Sequence, residues 1–217
     1  MGEFSEAEYQ TDVNISGFKR KPVYEFIKRV LDIFFSLLAL IVLSPVFLIT
    51  MIAIYIDEPG PVIFKQVRIG QYGRKFLMLK FRSMCLNAEE LKAQLMSQNM
   101  DKGANFKIKN DPRITRVGRF LRKTSIDELP QLINILKGEM AIIGPRPFIE
   151  SEENLLPSDR LLVKPGLSCY WQIGGKNDLS IQEQIELDRK YVRDRSLLVD
   201  LKITLLTFKF IVQNLNK

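Results

Sequence analysis

With 217 residues, the chain has room for one domain with a substantial core. Its 32 basic and 25 acidic residues give a net charge of +7, which favours an anionic partner without distinguishing nucleic acid, an acidic membrane surface and phosphorylated small molecules. The sequence contains no His, which excludes His-based triads, His general bases and most catalytic zinc sites. Acid–base or nucleophilic chemistry is left to Asp, Glu, Lys, Tyr, Ser or Cys.

The two cysteines, Cys85 and Cys169, follow no metal-binding spacing and are too few for a disulfide framework. They are therefore predicted to be reduced thiols in a protein that faces the cytosol.

An apolar segment follows a polar lead-in at residues 1–22. From Ile33 to Ile56, 24 residues carry no charge, which is the length of a membrane helix. The run is too long for a cleavable signal peptide, and no small-residue cleavage site follows it. The predicted organisation is a membrane segment over residues 23–58 and a cytoplasmic domain over residues 59–217.

Ser44 and Pro45 lie in the middle of this apolar run. Proline removes a helix hydrogen bond, so a kink there divides the run into arms of about 12 residues, each reaching about 18 Å. Basic residues flank the run on both sides, which gives a spanning helix no preferred direction. These features favour a re-entrant hairpin with both ends in the cytoplasm, with a kinked spanning helix as the alternative. Arg29 and Asp32, just before the apolar run, have a helical spacing that predicts an ion pair at the membrane surface.

The cytoplasmic part has the pattern of a mainly helical α+β fold. Short strands are predicted over residues 62–70 and 76–82, and a surface helix over residues 87–100. Residues 112–123 carry five basic residues without clear base-reading side chains, which favours an amphipathic membrane-surface helix over DNA binding. A final helix over residues 197–215 is predicted to be interfacial or packed, because a spanning helix would bury its lysines in lipid.

Two adjacent carboxylates, Asp127 and Glu128, stand where a helix is predicted to start. There the helix dipole stabilises their ionised form, and an ionised aspartate can act as a nucleophile or bind a metal. Ser125 and Glu128 also match a capping box, so a purely structural role for Glu128 remains open.

Basic residues lie on both sides of this pair in the sequence. Lys80 and Arg82 end a predicted strand, where they are either solvated cations or phosphate ligands. Arg146 stands between Pro145 and Pro147, which fix the backbone and leave its guanidinium little entropy to lose on gripping a phosphate. A turn with an incidental arginine is the alternative.

Several motifs, taken in order, resemble those of the bacterial sugar transferases, the monotopic polyprenyl-phosphate phosphoglycosyl transferases that start surface-polysaccharide and glycan assembly. The likeness covers residues 24 to 215. The motifs are Arg29-x-x-Asp32, Leu43-Ser44-Pro45, Lys80-Phe81-Arg82-Ser83-Met84, Ile114-Thr115-Arg116-Val117-Gly118, Asp127-Glu128-Leu129-Pro130-Gln131-Leu132, Gly144-Pro145-Arg146-Pro147, Lys164-Pro165-Gly166-Leu167, Trp171-Gln172, Leu187-Asp188-x-x-Tyr191-Val192 and Asp200-Leu201-Lys202.

This resemblance implies an enzyme on the cytoplasmic face of the bacterial inner membrane, held in one leaflet by a re-entrant helix broken at Ser44-Pro45. It would transfer a sugar-1-phosphate from a UDP-sugar to undecaprenyl phosphate and release UMP. By resemblance the nucleophile is Asp127 and its dyad partner is Glu128. One or both carboxylates would contact Mg²⁺, with Mn²⁺ as an alternative.

The resemblance also implies five basic positions that bind substrate phosphate or nucleotide: Lys80, Arg82, Arg122, Arg146 and Lys176. At the last of these the family most often has Arg, and lysine lacks the planar fork for a bidentate contact. Membrane lipids are expected partners and nucleic acid is not, whereas a homodimer and the identity of the sugar stay open. A membrane-anchored scaffold that binds acidic lipid is the competing hypothesis, and it predicts that Asp127→Asn leaves function intact.

Overall fold

The structure, a computed structural model, describes residues 18–95, 111–150, 158–170 and 179–215. This part of the chain opens with two helices that form a bent pair. Helix α1 (Pro22–Val42) and helix α2 (Ser44–Asp57) meet at an angle of 61°. The break predicted at Ser44-Pro45 is confirmed. Pro45 lies in the first turn of α2, where its missing N–H costs little, and Ser44 Oγ donates to the Ile41 carbonyl at 2.8 Å.

Among the described helices, none taken singly has the length and apolar character needed to cross a membrane. The bent pair meets that test when its two helices are taken together, on length and composition alone. The outward side of α1 is apolar, since Val23, Phe26 and Val30 are each at least half exposed, whereas Asp32 and Ser36 are buried against the rest of the protein.

The predicted ion pair between Arg29 and Asp32 is wrong. The Arg29 guanidinium donates to the carbonyls of Ile135 and Leu136, at 2.5 and 2.8 Å, and Asp32 Oδ1 accepts from the Ile142 N–H at 3.1 Å. Each side chain instead hydrogen-bonds buried backbone groups of a distant segment, which would otherwise lack a partner. These hydrogen bonds attach α1 to the body of the protein.

Two small sheets lie beneath this helix pair. Strands β1 (Ile63–Ile69) and β2 (Lys75–Phe81) form an antiparallel hairpin in which Val67 faces Leu77, as the predicted strands require. Two three-residue strands, β3 (Ala141–Ile143) and β4 (Gly166–Ser168), pair in parallel.

The remaining helices make the described fold mainly helical with small sheets, which confirms the predicted α+β class. The basic helix predicted at 112–123 begins later, at Arg116, and the helix predicted at 87–100 is seen up to Leu95, since residues 96–100 lie outside the described part. The helices are α3 (Ala88–Leu95), α4 (Arg116–Thr124), α5 (Gln131–Lys137), α6 (Ile181–Asp194) and α7 (Leu197–Leu215).

Helix α5 is held between the hairpin and α1. Phe76 and Met78 of β2 form one buried cluster with Leu132 and Ile135 of α5, and Ala39 and Leu40 of α1 pack against it. Burying such a side chain contributes about 1.5–3 kcal/mol, so the cluster is a main source of local stability.

Polar contacts connect the C-terminal helices to this body. The Tyr191 hydroxyl lies 2.9 Å from both the Ile143 carbonyl and Asp200 Oδ1. Asp188 pairs with Arg160 at 2.6 Å. Tyr191 and Asp188 are both only 2% exposed, so both side chains contribute to internal packing.

Candidate active site

Asp127 and Glu128 lie on a short 3-10 turn (Ile126–Glu128) between α4 and α5. The predicted capping box is wrong: Ser125 makes no capping hydrogen bond with its side chain and takes a left-handed conformation, with φ of 58°. This sharp reversal ends α4 and turns the chain before α5 starts at Gln131. Asp127 and Glu128 therefore stand on a tight turn between two helices and not in the first turn of one long helix.

The partner of Glu128 comes from the hairpin. Lys80 Nζ, near the end of β2, lies 2.9 Å from Glu128 Oε1, and the two side chains keep 24% and 21% of their surface exposed. This partial burial makes their attraction stronger than that of a fully hydrated surface pair. Lys80, predicted as a substrate-binding cation, is thus brought directly to the dyad.

Helix α4 brings Arg122 to the same place. A Cβ at Gly118 would come within 2.0 Å of the Ser83 carbonyl oxygen, so only glycine lets α4 approach the segment after β2 this closely. The approach puts Arg122 Nε 2.9 Å from Ser83 Oγ, and the Arg122 guanidinium is near enough to Asp127 for their charges to attract. Arg122 thus lies beside the dyad, and its contact with substrate stays a prediction.

Asp127 itself is 8% exposed and lies between these contributions. A carboxylate attacks phosphorus or binds a metal in its ionised form. Lys80 and Arg122 place positive charge around the same turn, so an anionic group can approach a carboxylate that would otherwise repel it.

Arg82 occupies a different environment from the one predicted. Its side chain is 7% exposed, and Nη2 donates to the carbonyls of Ile54 and Glu58 at the end of α2. A cation at a helix C-terminus satisfies carbonyls that have no partner within the helix. Contact between Arg82 and a substrate stays a prediction.

Hydrogen bonds to its backbone carbonyls hold the turn at Gly144–Pro147 in place. The Pro145 carbonyl accepts from the Gly166 N–H at 2.8 Å, the Pro147 carbonyl from Arg68 at 3.1 Å, and the Arg146 carbonyl from Arg160 at 2.7 Å. The Arg146 guanidinium is close enough to Asp188 of α6 to stabilise that carboxylate. Phosphate binding by Arg146 stays a prediction, and Lys176 lies outside the described residues.

Ser83 and Gly118 acquire roles here that sequence reasoning did not give them. Ser83 is a hydrogen-bond partner of Arg122, and Gly118 permits the close contact between segments. The signal available for Gly118 was a glycine inside a basic helix, where it is unfavourable unless the backbone needs the space.

The described residues contain no group of three or more Asp, Glu or Cys side chains placed to hold a metal ion. Two adjacent carboxylates on one turn fit Mg²⁺ better than a fully protein-ligated metal, because Mg²⁺ is commonly held by one or two carboxylates, waters and substrate phosphates. Asp127 and Glu128 are the residues that fit this pattern.

Comparisons with known proteins identify the family of this chain. The model of a family described as bacterial sugar transferase matches residues 23–214. The chain is 40% identical over 195 residues to the undecaprenyl-phosphate galactose phosphotransferase of Salmonella typhimurium, covering 87% of this chain and 41% of that protein. It is 39% identical over 207 residues to the UDP-glucose:undecaprenyl-phosphate glucose-1-phosphate transferase of Escherichia coli, covering 90% of this chain and 41% of that protein.

A shorter relative is matched over most of its length. The chain is 41% identical over 194 residues to the exopolysaccharide production protein ExoY of Sinorhizobium fredii, covering 86% of each. The chain thus spans about two fifths of the galactose and glucose transferases and most of ExoY. On the extent of the family match, the chain belongs to the bacterial sugar transferase family.

Proposed function

We propose that this protein transfers a sugar-1-phosphate from a UDP-sugar to undecaprenyl phosphate and releases UMP, as the first membrane step in assembling a surface polysaccharide or another glycan. The observation that carries the proposal is the turn of Asp127 and Glu128 with Lys80 and Arg122 gathered around it. The names of relatives that are 40% and 39% identical to this chain over 195 and 207 residues support the same reaction.

In the first step, a carboxylate oxygen of Asp127 attacks the phosphorus atom bonded to the sugar. The phosphoanhydride P–O bond breaks, and its electron pair leaves with UMP. Arg122 neutralises charge on the donor phosphates, while Lys80 holds Glu128 beside the nucleophile. The sugar phosphate is then joined to Asp127 as an acyl phosphate.

In the second step, an oxygen of undecaprenyl phosphate attacks the same phosphorus atom. The bond to Asp127 breaks, its electron pair returns to the carboxylate, and the product is a lipid-linked diphosphate sugar. Neither step needs a His general base, since the leaving UMP and the attacking phosphate are both already ionised. Mg²⁺, held by Asp127 and Glu128 together with substrate phosphates, would supply further neutralisation of negative charge.

A lipid substrate requires the site to lie near a membrane. We place α1 and α2 in one leaflet, entering from and returning to the cytoplasmic face. The 61° bend, the apolar outward side of α1 and the Ser44 hydrogen bond at the break support this placement. Asp57, the last residue of α2, accepts from the Val117 N–H at 3.0 Å, which connects the returning end directly to α4 beside the site.

The reaction is tested by measuring UMP release with a panel of UDP-sugars, undecaprenyl phosphate and Mg²⁺. We expect release with at least one donor, dependent on the lipid phosphate for turnover and lost on chelating the metal. A well-folded protein that releases no UMP from any donor contradicts the proposal.

The topology is tested with single cysteines at Arg20→Cys and Pro61→Cys in a background that lacks Cys85 and Cys169. A membrane-impermeant maleimide added to intact spheroplasts should label neither position, and should label both after lysis. Labelling of one position alone in intact cells would indicate a spanning segment.

A further inference from the structure

A polar side chain sits fully buried in the apolar interface between α5 and β2. Asn134 has no exposed surface, and its neighbours in the interface include Leu132 and Ile135. A buried amide is retained against its desolvation cost only where its hydrogen bonds are made. Neither the proposed chemistry nor the apolar packing accounts for an Asn at this position.

The amide makes three hydrogen bonds that fix its orientation. Asn134 Oδ1 accepts from the Leu79 N–H at 3.0 Å, and Nδ2 donates to the Leu77 carbonyl at 2.7 Å and to Glu139 Oε2 at 2.6 Å. Oxygen meets a donor and nitrogen meets acceptors, so this assignment of the amide satisfies every partner.

The two backbone partners belong to an open strand edge. Among the described residues the hairpin sheet has two strands, so there β2 pairs with β1 on one side only. On its other side Leu77 and Leu79 present the carbonyl and N–H that a further strand would take. The Asn134 amide takes both, as a peptide group of a neighbouring strand would, and so fixes α5 to one register of β2.

This register is the one that the dyad needs. Lys80 follows Leu79 directly on β2, and Glu128 stands on the turn that leads into α5. The 2.9 Å contact of Lys80 Nζ with Glu128 Oε1 therefore joins the same two segments as Asn134 does. Apolar packing has no direction and allows sliding, whereas a pair of hydrogen bonds to one strand does not.

We propose that Asn134 is a positioning residue, which locks α5 to β2 so that Lys80 meets Glu128 and the Asp127 turn is presented in one geometry. Its consequence for catalysis rests on the proposed function. Its effect on the Lys80–Glu128 contact does not, so the two ideas can fail separately.

The first test measures the contact without using activity. Asn134→Leu keeps the shape and removes all three hydrogen bonds, and Asn134→Asp keeps an acceptor but loses the donor. A soluble reagent that acetylates amines is added, and the rate of Lys80 acetylation is followed by mass spectrometry. Exposed Lys137, on the same helix as Asn134, is the internal reference. We expect Lys80 to react about fivefold faster in Asn134→Leu and by an intermediate factor in Asn134→Asp, with Lys137 unchanged.

The matched control is Ser168→Ala. It removes another buried hydrogen bond, 2.7 Å long, between Ser168 and Thr207 on the β4–α7 side of the protein. Lys80 reactivity should not change in this variant. An unchanged Lys80 rate in both Asn134 variants overturns the proposal, as does an equal increase in Ser168→Ala. If Asn134→Leu does not fold, the rate in Asn134→Asp decides alone.

The second test is a double-mutant cycle on kcat with Lys80→Met. We expect Asn134→Leu to lower kcat about tenfold in the wild-type background and less than about twofold when Lys80 is already Met, with KM nearly constant. A purely structural effect would give the same fold loss in both backgrounds and overturns the positioning role. If the wild-type protein shows no transferase activity but Lys80 is acetylated faster in Asn134→Leu, the proposed function is refuted and the positioning role stays supported.

Discussion

Two buried acidic groups with basic partners occupy different parts of the molecule. The first is the Asp127–Glu128 turn with Lys80, and the second is Asp188 of α6 with Arg160. Asp188 is 2% exposed and Arg160 is 7% exposed, whereas about a fifth of the Lys80 and Glu128 side chains remains accessible. Burial raises the pKa of Asp188 to about 6, because the loss of hydration outweighs the attraction of Arg160 and Arg146.

The difference shows that burial and a shifted pKa do not by themselves mark a catalytic carboxylate. A buried ion pair whose partners are all internal connects structural elements, and removing either partner lowers stability because the other charge stays buried. The dyad has cations from two other segments converging on a turn that solvent can still reach. The candidate active site differs from the internal ion pair because its charged groups come together where solvent can reach them. The size of a pKa shift is a weaker criterion.

The largest effect expected is that of Asp127→Asn. Removing the nucleophile should lower UMP release by at least about a thousandfold, because the amide of Asn cannot form the acyl phosphate. Brief incubation of the wild-type protein with donor sugar alone, followed by intact-protein mass spectrometry, should reveal a sugar-phosphate adduct that this variant lacks.

The control for that variant is Glu186→Gln on α6, which changes a mostly exposed carboxylate. Its activity should stay within about twofold of wild type. Full UMP release by Asp127→Asn would instead contradict the assignment of Asp127 as the nucleophile.

Arg160→Met should act on stability. Removing one partner of a buried pair leaves Asp188 with only the attraction of Arg146 and should cost about 3–5 kcal/mol in the free energy of unfolding. Arg189→Met is the matched control, since Arg189 pairs with Asp159 at 2.7 Å but is 39% exposed. It should cost less than about 1 kcal/mol, so equal losses in urea unfolding of the two variants would contradict the assignment of Asp188 to an internal ion pair.

Lys80→Met should have a smaller effect on activity than the loss of the nucleophile. We expect kcat to fall about 10- to 100-fold, since Glu128 loses its partner while Asp127 remains. Lys80→Arg keeps the charge with a different shape and should recover part of the rate. A matched loss in both variants would mean that the geometry of the ammonium group matters more than its charge.

The sequence was enough to predict the features that depend on local pattern. The hairpin follows from its alternating strands, the helix break from Pro45, and the dyad and Arg122 from motif resemblance. The partners of these residues were not predictable, because they come from far along the chain. Glu128 meets a lysine 48 residues away, and Arg29 reaches α5 across 106 residues.

Local rules also failed where the tertiary fold overrode them. The capping-box pattern required Ser125 to begin a helix, but Ser125 takes a positive φ that turns the chain between α4 and α5. Glu128 was then free to meet Lys80. The i, i+3 rule paired Arg29 with Asp32, but buried backbone groups of α5 and β3 took both side chains.

The smallest effect concerns the pH dependence of stability. The pKa of Asp188 is about 6 in the folded protein and near 3.8 when unfolded, so between these values the folded state holds the extra proton. Stability should therefore fall as pH rises from about 4 to 6, by at most about 1.4 kcal/mol per pH unit. Carboxylates with lowered pKa values, such as Asp111, act in the opposite direction, so the measured quantity is the difference between wild type and Asp188→Asn in urea unfolding. A difference that does not change with pH would mean that Arg160 keeps Asp188 ionised throughout, and the internal ion pair would then be a permanent one whose strength is independent of pH over this range.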